Sequence, residues 1–527
     1  MGAFVSFWQK EWRDGAERFR WAIVSTIAFY LAAHGYRLSH AAFAGDGLLM
    51  IYKDDAAWEV ALGRIVHPLL VLLRGGLETP FLIGLLAAWW IGLSVWLMTG
   101  FLEIRRRLGV VSTSGVCVCN VILTTTNGAY LFISDYYMLA LCLAVGAAIL
   151  VWQGAAGQVQ TGIRLRRLLL AAVCIALSVG IYQAYICVTL ALLLLKWLFT
   201  AMEAPEKVAL PGGRVRLRQI LFMAVPFLLG GGVYYGIWKA AQRVLHIWTA
   251  DGYNGMASLG DYGGTSVPAL LTETLRRFAV FFVQPEVFVT YSYHGQSLSI
   301  VWLWLLRICH LAAVASLCAY VVLGGRKGDK RIRRQLVAVV CLVLFPFACN
   351  LILLLTKGME HSLMLYAFIL LYVAAIRGLE GLKVRWVSGF LLIPVLWSQI
   401  IYANQFYLKL DLYDHAAASM LTRIAVTAEQ MPRYKPGQTP VAFAGIFESS
   451  PHLARLSFYD EINPLGVGKS LMPYGGTPEH YLTQVLNVPM CFTDVDAEDP
   501  AVAAMPCFPE QGSVAWVGDT LVVKLSE

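Results

Sequence analysis

Charge is what this 527-residue chain has least of: only 14% of its residues are Asp, Glu, Lys or Arg, where soluble domains carry about a quarter. Together with 58% hydrophobic residues and a mean hydropathy of +0.64, that scarcity excludes an ordinary soluble enzyme. It implies a polytopic α-helical membrane protein. A glycine-rich phosphate loop, a zinc motif and a nucleophile elbow are also missing, so the common soluble-enzyme chemistries have no footing. The opening MGAFVSFWQKEWRDGAERFR is amphipathic and charged, and the apolar run behind it lacks a convincing cleavage site. Residues 21–38 therefore read as a retained first span rather than a signal peptide. The formal charge of +8 is spread in short clusters between apolar runs, which argues against a nucleic-acid partner. Nine of the eleven cysteines fall in apolar runs and read as small hydrophobes. Cys491 and Cys507, in the more polar tail, would suit a disulfide if that tail lies outside the cell.

What is present is a series of long apolar runs. A spanning helix takes roughly 20 apolar residues, and runs near 21–38, 80–101, 108–126, 136–152, 168–182, 185–202, 217–241, 299–323, 335–355, 361–376 and 386–403 predict about 11 transmembrane helices. Cations cluster at Lys10 to Arg20, Arg105 to Arg107, Arg164 to Arg167, Arg214 to Arg218, Arg326 to Arg334 and Arg377 to Arg385. All of these fall on one side if the N-terminus is cytoplasmic, and the turns TNGAYLFISD and YQA on the other side carry no lysine or arginine. The positive-inside rule then places the loops 39–79, 127–135 and 242–298 outside, together with the C-terminus.

The chain divides in this reading into a membrane domain, 1–403, and a small extracytoplasmic α/β domain, 404–527. In the latter DLYDHAAASMLTRIAVTAEQ reads as a helix, PVAFAGIF as a buried strand and SVAWVGDTLVVKL as strand–turn–strand. Residues 267–286 place Leu271, Leu275, Phe278 and Phe282 at helical spacing, the pattern of an amphipathic helix lying in the interface.

The chemistry has to come from the few outer polar groups. The stretch Gly45 to Leu70 is polar between two apolar runs and holds the acids Asp46, Asp54, Asp55 and Glu59, where charge is costly and tends to mark function. Further candidates on that side are Asp135, Arg64, the polar break at Tyr182 and Gln183, the pair Arg276 and Arg277, and Lys357, Glu360 and His361 in TKGMEHS. A carboxylate at an outer cleft can serve as base towards an acceptor hydroxyl, and arginine's planar fork suits a phosphate leaving group. Outer acids with outer cations thus fit transfer from a phosphate-activated, lipid-borne donor. Each residue also has a plainer reading. Asp54 and Asp55 can be solvated loop charges, Asp135 an N-cap, Arg64 a structural ion-pair partner, Arg276 and Arg277 headgroup contacts, and His67, His361 and Glu360 structural groups.

The blocks DGLLMIYKDDAAWEVALGRIVHPLLVLLRG and PFLIGLLAAWWIGLSV, followed in order by TTTNGAYLFISDYYMLALCLA, LSVGIYQAYICVTL and NQFYLKLDLYDHAAASMLTRI, resemble the bacterial Gtr-type glucosyltransferases that modify O-antigen and related cell-envelope glycans. The resemblance spans residues 20 to about 430. It implies a GT-C-like fold in the bacterial cytoplasmic (inner) membrane. It also implies a polyprenyl-phosphate sugar donor, glucose as the sugar, and a cell-envelope polysaccharide or glycolipid acceptor. By the same resemblance Asp46 or Asp55 is the catalytic acid of the first outer loop, with Asp54 its neighbour, Asp135 is the second-loop acid, and Arg64 is the matched cation. Direct displacement at the anomeric carbon needs one base and inverts configuration, unlike the two-carboxylate hydrolases. No cofactor is expected, although some GT-C subgroups use a divalent metal. A transporter or flippase is the alternative from another class, with Arg307 inside the eighth run its best support, but it favours midplane ionisable groups and internal repeats. An O-antigen polymerase or ligase is a third possibility, against which the early acidic loop argues.

Overall fold

The computed structural model describes residues 2–40, 42, 46–49, 56–75, 79–155, 160–203, 217–249, 266–283, 292–293, 296–297, 300–324, 331–356, 362–384, 386–454 and 477–527. Helix α1 (Gly2–Ser39) is followed by three short helices, α2 (Asp46–Leu49), α3 (Ala56–Ala61) and α4 (His67–Arg74). Long helices then alternate: α5 (Pro80–Phe101), α6 (Arg107–Val118), α7 (Val121–Ala129), α8 (Ser134–Ala155), α9 (Thr161–Ile181), α10 (Ile186–Glu203) and α11 (Leu217–Leu245). After α12 (Val267–Val283) and a two-residue hairpin, β1 (Ser292–Tyr293) with β2 (Gln296–Ser297), come α13 (Ile300–Leu323), α14 (Arg331–Cys349), α15 (Leu351–Leu355), α16 (Leu370–Gly381) and the 44-residue α17 (Trp386–Glu429).

Among the described residues eight helices are long and apolar enough to cross a membrane, or nine if the pair α6 and α7, bent by 44° at its break, is one span. The expected eleven is not reached by this measure. Helices α1 and α9 coincide with expected runs but are not in that set; Arg37 on α1 and Arg164, Arg166 and Arg167 on α9 dilute their apolar stretches. The expected run 335–355 is interrupted at Asn350, and 361–376 begins as a 3-10 helix, Ser362–Ile369.

Inside the bundle several hydroxyls that interrupt the apolar faces turn to neighbouring backbone or to each other. Ser178 Oγ donates to Ala140 O at 2.9 Å, Thr189 Oγ1 to Ala144 O at 3.0 Å, and Ser25 to Ser114 at 2.8 Å. Water is excluded there, so each such group needs a protein partner. The break between α6 and α7 follows the same rule. Asn120 caps α7 by accepting from Leu123 N at 2.9 Å, while its amide and the Tyr366 hydroxyl both donate to the freed Cys117 carbonyl, at 2.9 and 2.6 Å.

The arginine clusters that the structure describes gather at one end of the bundle. Arg107 meets Glu17 at 2.6 Å, joining α6 to α1, and Lys196 meets Glu103 at 2.9 Å, joining α10 to the α5 terminus. Arg377 at the end of α16 reaches Glu203 at the end of α10 at 2.6 Å and donates to Leu102 O at 2.7 Å. Arg214 and Arg216, half of the cluster from Arg326 to Arg334 (Arg326, Lys327 and Lys330), and Arg385 lie outside the described residues.

Residues 403 and 404 are no boundary, because α17 runs straight through them. Its first half packs in the bundle beside α1, where His34 Nδ1 lies 2.7 Å from the Tyr407 hydroxyl. Its second half carries Leu410, Tyr413, Ala417, Met420, Leu421 and Ile424 into a separate core. That core is closed by a mixed sheet in the order β4-β3-β6-β5, built from β3 (Pro440–Ala444), β4 (Cys491–Phe492), β5 (Val514–Val517) and β6 (Thr520–Lys524). The strands expected at PVAFAGIF and SVAWVGDTLVVKL are thus present, β3 parallel to β6 and β5 antiparallel to it. Ala42 and Leu48 of the first loop join the same core, so the sheet unit buttresses the segment that carries Asp46. Cys491 and Cys507 are free thiols; no disulfide joins them.

Helix α12 forms over the expected segment but is rotated from the expected stripe. It buries Leu270, Thr274, Phe281 and Phe282, with Phe278 packed edge-on against Phe345 and tilted against Phe368, and leaves Leu271 and Leu275 exposed.

Candidate functional site

At the end of the bundle opposite the arginines, α3 and α4 fold back over the helix termini. A tight turn joins them. Gly63 has φ +78°, where a Cβ would collide with the Tyr234 hydroxyl and lie 2.9 Å from Gln183 Nε2, so only glycine fits. Gln183 Nε2 donates to Leu62 O at 2.8 Å and to the Tyr234 hydroxyl at 3.2 Å. Trp238 Nε1 on α11 donates to Val60 O at 2.8 Å, and Val66 N donates to Gly180 O at the end of α9 at 3.0 Å. Three helices therefore hold this turn by its backbone.

The turn fixes a buried charged cluster. Glu59 is 2% exposed and accepts from Arg64 Nη1 at 3.1 Å, while His67 Nδ1 lies 3.0 Å from its Oε2. Burial pushes the Glu59 carboxyl up, but Arg64 and His67 outweigh it and hold the group well below the usual carboxylate range, at about 2. Glu59 is thus an ionised anchor. The Arg64 side chain is 14% exposed, and its guanidinium lies 5.4 Å from the centre of the Tyr182 ring. Tyr182 stacks on Tyr137 at 4.2 Å; the Tyr137 hydroxyl is buried and has no hydrogen-bond partner among the described residues.

The second outer acid is continuous with the first cluster. Asp135 Oδ1 accepts from Arg74 Nη1 at 2.6 Å, both side chains being under a tenth exposed. Arg74 sits 4.4 Å over the Tyr136 ring, whose other neighbour is the His67 ring at 5.1 Å. Helix α4 places Arg74 inward while Leu69, Leu72 and Leu73 face out. Lys239, 4.6 Å over the Trp238 ring, adds another cation on this side.

Of the residues expected from sequence, Arg64, Tyr182, Gln183 and Asp135 are brought together here. Arg276 and Arg277 are engaged elsewhere: both bond Glu273 at 2.7 Å on the outside of α12. Asp54, Asp55, Lys357 and His361 lie outside the described residues. Asp46 is the first residue of α2, and its side chain is not among those described. Sequence reasoning named Glu59 only as one acid among four and set His67 aside, and it passed over Arg74, Tyr136, Tyr137 and Trp238. The available signal was the positive-inside pattern itself, since Arg64 and Arg74 are cations on the side it should leave bare. Among the described residues no group of three or more His, Cys, Asp or Glu side chains is placed to hold a metal ion.

Buried cations, aromatic faces and acids thus meet at one end of a helical bundle. The family model described as Glucosyl transferase GtrII matches residues 45–376, more than half of the chain and all of the segment that builds the cluster, and the chain belongs to that family. It is a glycosyltransferase. Neither the curated proteins nor the solved structures compared with it yield a match.

Proposed function

We propose that the protein moves glucose from a polyprenyl-phosphate donor to a cell-envelope polysaccharide or glycolipid, on the outer face of the bacterial cytoplasmic membrane, in a GT-C-like bundle and without a resident cofactor. The observation that carries this reading is Arg64: a cation held in place by a buried carboxylate, backed by a tyrosine stack, and 14% exposed. Such a group is ready for the phosphate that departs from the sugar, with its orientation set in advance. Arg74, fixed by Asp135, supports the same field.

In the step itself an acceptor hydroxyl oxygen bonds to the anomeric carbon as the bond from that carbon to the phosphate oxygen breaks. Its proton passes to Asp46 or Asp55, polyprenyl phosphate leaves with the electron pair, and configuration inverts. Asp135, engaged by Arg74, acts as a positioning residue in this scheme. The gathering of cations at the far end supports a cytoplasmic N-terminus and an outer site. The cluster of Glu59, Arg64, Arg74 and Asp135 lies at a bundle end, which favours this reading over a transporter, whose best support remains Arg307 inside α13.

The test is transfer of labelled glucose from synthetic polyprenyl-phosphate glucose to cell-envelope glycan fractions by the purified protein, with and without chelator. Transfer that survives the chelator and is abolished in Asp46→Asn or Asp55→Asn is expected. Full activity in both variants removes the first-loop base, and loss with chelator alone makes the reaction metal-dependent. Sidedness has a separate readout: the exposed Cys491 thiol should react in intact spheroplasts with a membrane-impermeant maleimide, and protection until lysis reverses the orientation.

A further inference from the structure

A large cavity lies at the arginine end, away from the cluster around Arg64. It has a volume of about 970 Å³ and is bounded by α1, the termini of α5 and α10, the start of α6, the last turns of α8 and the first residue of α17. Five cations line it, Arg18, Arg105, Arg106, Arg107 and Lys196, against two carboxylates, Glu17 and Glu103. Those acids are already committed: Glu17 to Arg107 at 2.6 Å, and Glu103 to Lys196 at 2.9 Å with Arg105 at 3.7 Å. A third carboxylate, Glu380, stands beside the rim and accepts from the backbone amides of Arg105 and Arg106 at 3.3 and 3.4 Å. The positive excess survives this pairing.

The rest of the wall is aromatic and aliphatic: Trp21, Trp96, Trp152 and Trp386, with Leu97 and Phe101. Tryptophan collects where hydrocarbon meets headgroups, so the cavity sits at headgroup depth with an apolar inner wall. Gly100 contributes to the space, because a Cβ there would come within 2.8 Å of Arg18 Nη2. Cations and tryptophans lining one cavity at that depth match an amphiphile whose polar part is an anionic phosphate and whose remainder is acyl chain. A surface of ion pairs alone would have neither the volume nor the tryptophans. Anionic lipid headgroups attract basic residues near the surface, and here several cations line one cavity.

We infer that this cavity is a binding site for the phosphate headgroup of an anionic phospholipid of the cytoplasmic leaflet, separate from the donor site. The bound lipid bridges α1, α5, α6 and α10 and holds together the basic ends of those helices. The leaflet follows from the orientation above; the site itself does not depend on the glycosyl-transfer assignment.

The experiment is native mass spectrometry of the full-length protein exchanged into detergent with dioleoyl-phosphatidylglycerol or dioleoyl-phosphatidylcholine. One tightly retained phosphatidylglycerol per chain is expected, in at least tenfold preference to phosphatidylcholine. The Arg105→Gln/Arg106→Gln double variant, whose changes fall on exposed side chains, should lose most of that preference while keeping its thermal midpoint in lipid-free detergent. Gly100→Leu, which fills the cavity against Arg18 without removing a charge, should lower retention of the same lipid. Equal retention of both lipids, or unchanged retention in the double variant, overturns the site. Displacement of the lipid by millimolar inorganic phosphate also overturns it, in favour of a soluble phosphate ligand.

Discussion

The two ends of this bundle handle charge in opposite ways. At the glycosyl-transfer end, Glu59, Arg64, His67, Arg74 and Asp135 are between 2% and 14% exposed, and each is held against a partner. At the other end Arg105, Arg107, Glu17 and Glu103 are between 43% and 76% exposed, while the pairings of Arg377, 8% exposed, with Glu203 and of Lys196, 13% exposed, with Glu103 approach the first kind on their cation side. Exposed pairs stabilise by about 0–1 kcal/mol and are readily re-paired. A buried pair contributes little net stability as a pair, yet losing one partner costs about 3–5 kcal/mol, because a charge is left stranded. One end therefore holds its cations in a fixed geometry suited to a defined leaving group. The other keeps them adaptable, as a lipid headgroup requires.

The sharpest way to break the comparison is at Asp135. Asp135→Ala strands the Arg74 guanidinium and should destabilise the protein by about 3–5 kcal/mol, visible as a large drop in thermal midpoint in detergent, with transfer falling by about 100-fold or more. The double variant Asp135→Leu/Arg74→Leu removes both charges and should recover most of the stability but not the activity. A single variant as stable and active as wild type would show that this pair is no different from the exposed ones.

Glu59 comes next. Its carboxyl is depressed in the folded protein to about 2, from about 4.3 when unfolded. The stabilisation is therefore fully present above the unfolded value and is lost as pH falls through the folded one. The gap in thermal midpoint between wild type and Glu59→Gln, equivalent to roughly 3 kcal/mol near neutrality, should narrow as pH drops from about 5 towards 2. A gap independent of pH would mean that packing, not ionisation, makes the difference. With its anchor neutral, Arg64 loses its set direction, so the donor KM should rise by about tenfold with a smaller change in kcat.

How much of this was readable in advance follows from the range of each interaction. Long apolar runs report themselves, and α5, α8, α10 and α11 lie where hydropathy places them; so do β3, β5 and β6, whose apolar residues mark them locally. The continuity of α17 was not readable, because nothing at residue 403 distinguishes a helix that ends from one that goes on into a second core. The rotation of α12 depends on Phe345 and Phe368, more than sixty residues away in the chain. At the site, Asp135 and Arg64 stood out as polar residues among apolar ones, but their partners did not. Arg74 meets Asp135 across 61 positions, and Gln183 meets the Leu62 carbonyl across 121. Neither spacing has a periodic signature.

The smallest effect is expected on α12, where it does most to test the distinction. Arg276 and Arg277 both chelate Glu273, at three and four residues along one helix turn, and their bonds hold that carboxyl down to about 2. This pairing is exposed and local, so its net influence on anything beyond α12 is small. Arg276→Gln should change the donor KM by less than about twofold, whereas Arg64→Gln, made in parallel, should raise it by about tenfold or more. The two substitutions remove the same charge on what the topology assigns as the same side of the membrane. They differ only in whether a buried carboxylate and a tyrosine face fix the guanidinium. If Arg276→Gln has the larger effect, the donor phosphate is held by the exposed cation, and burial has no bearing on which arginine does the work.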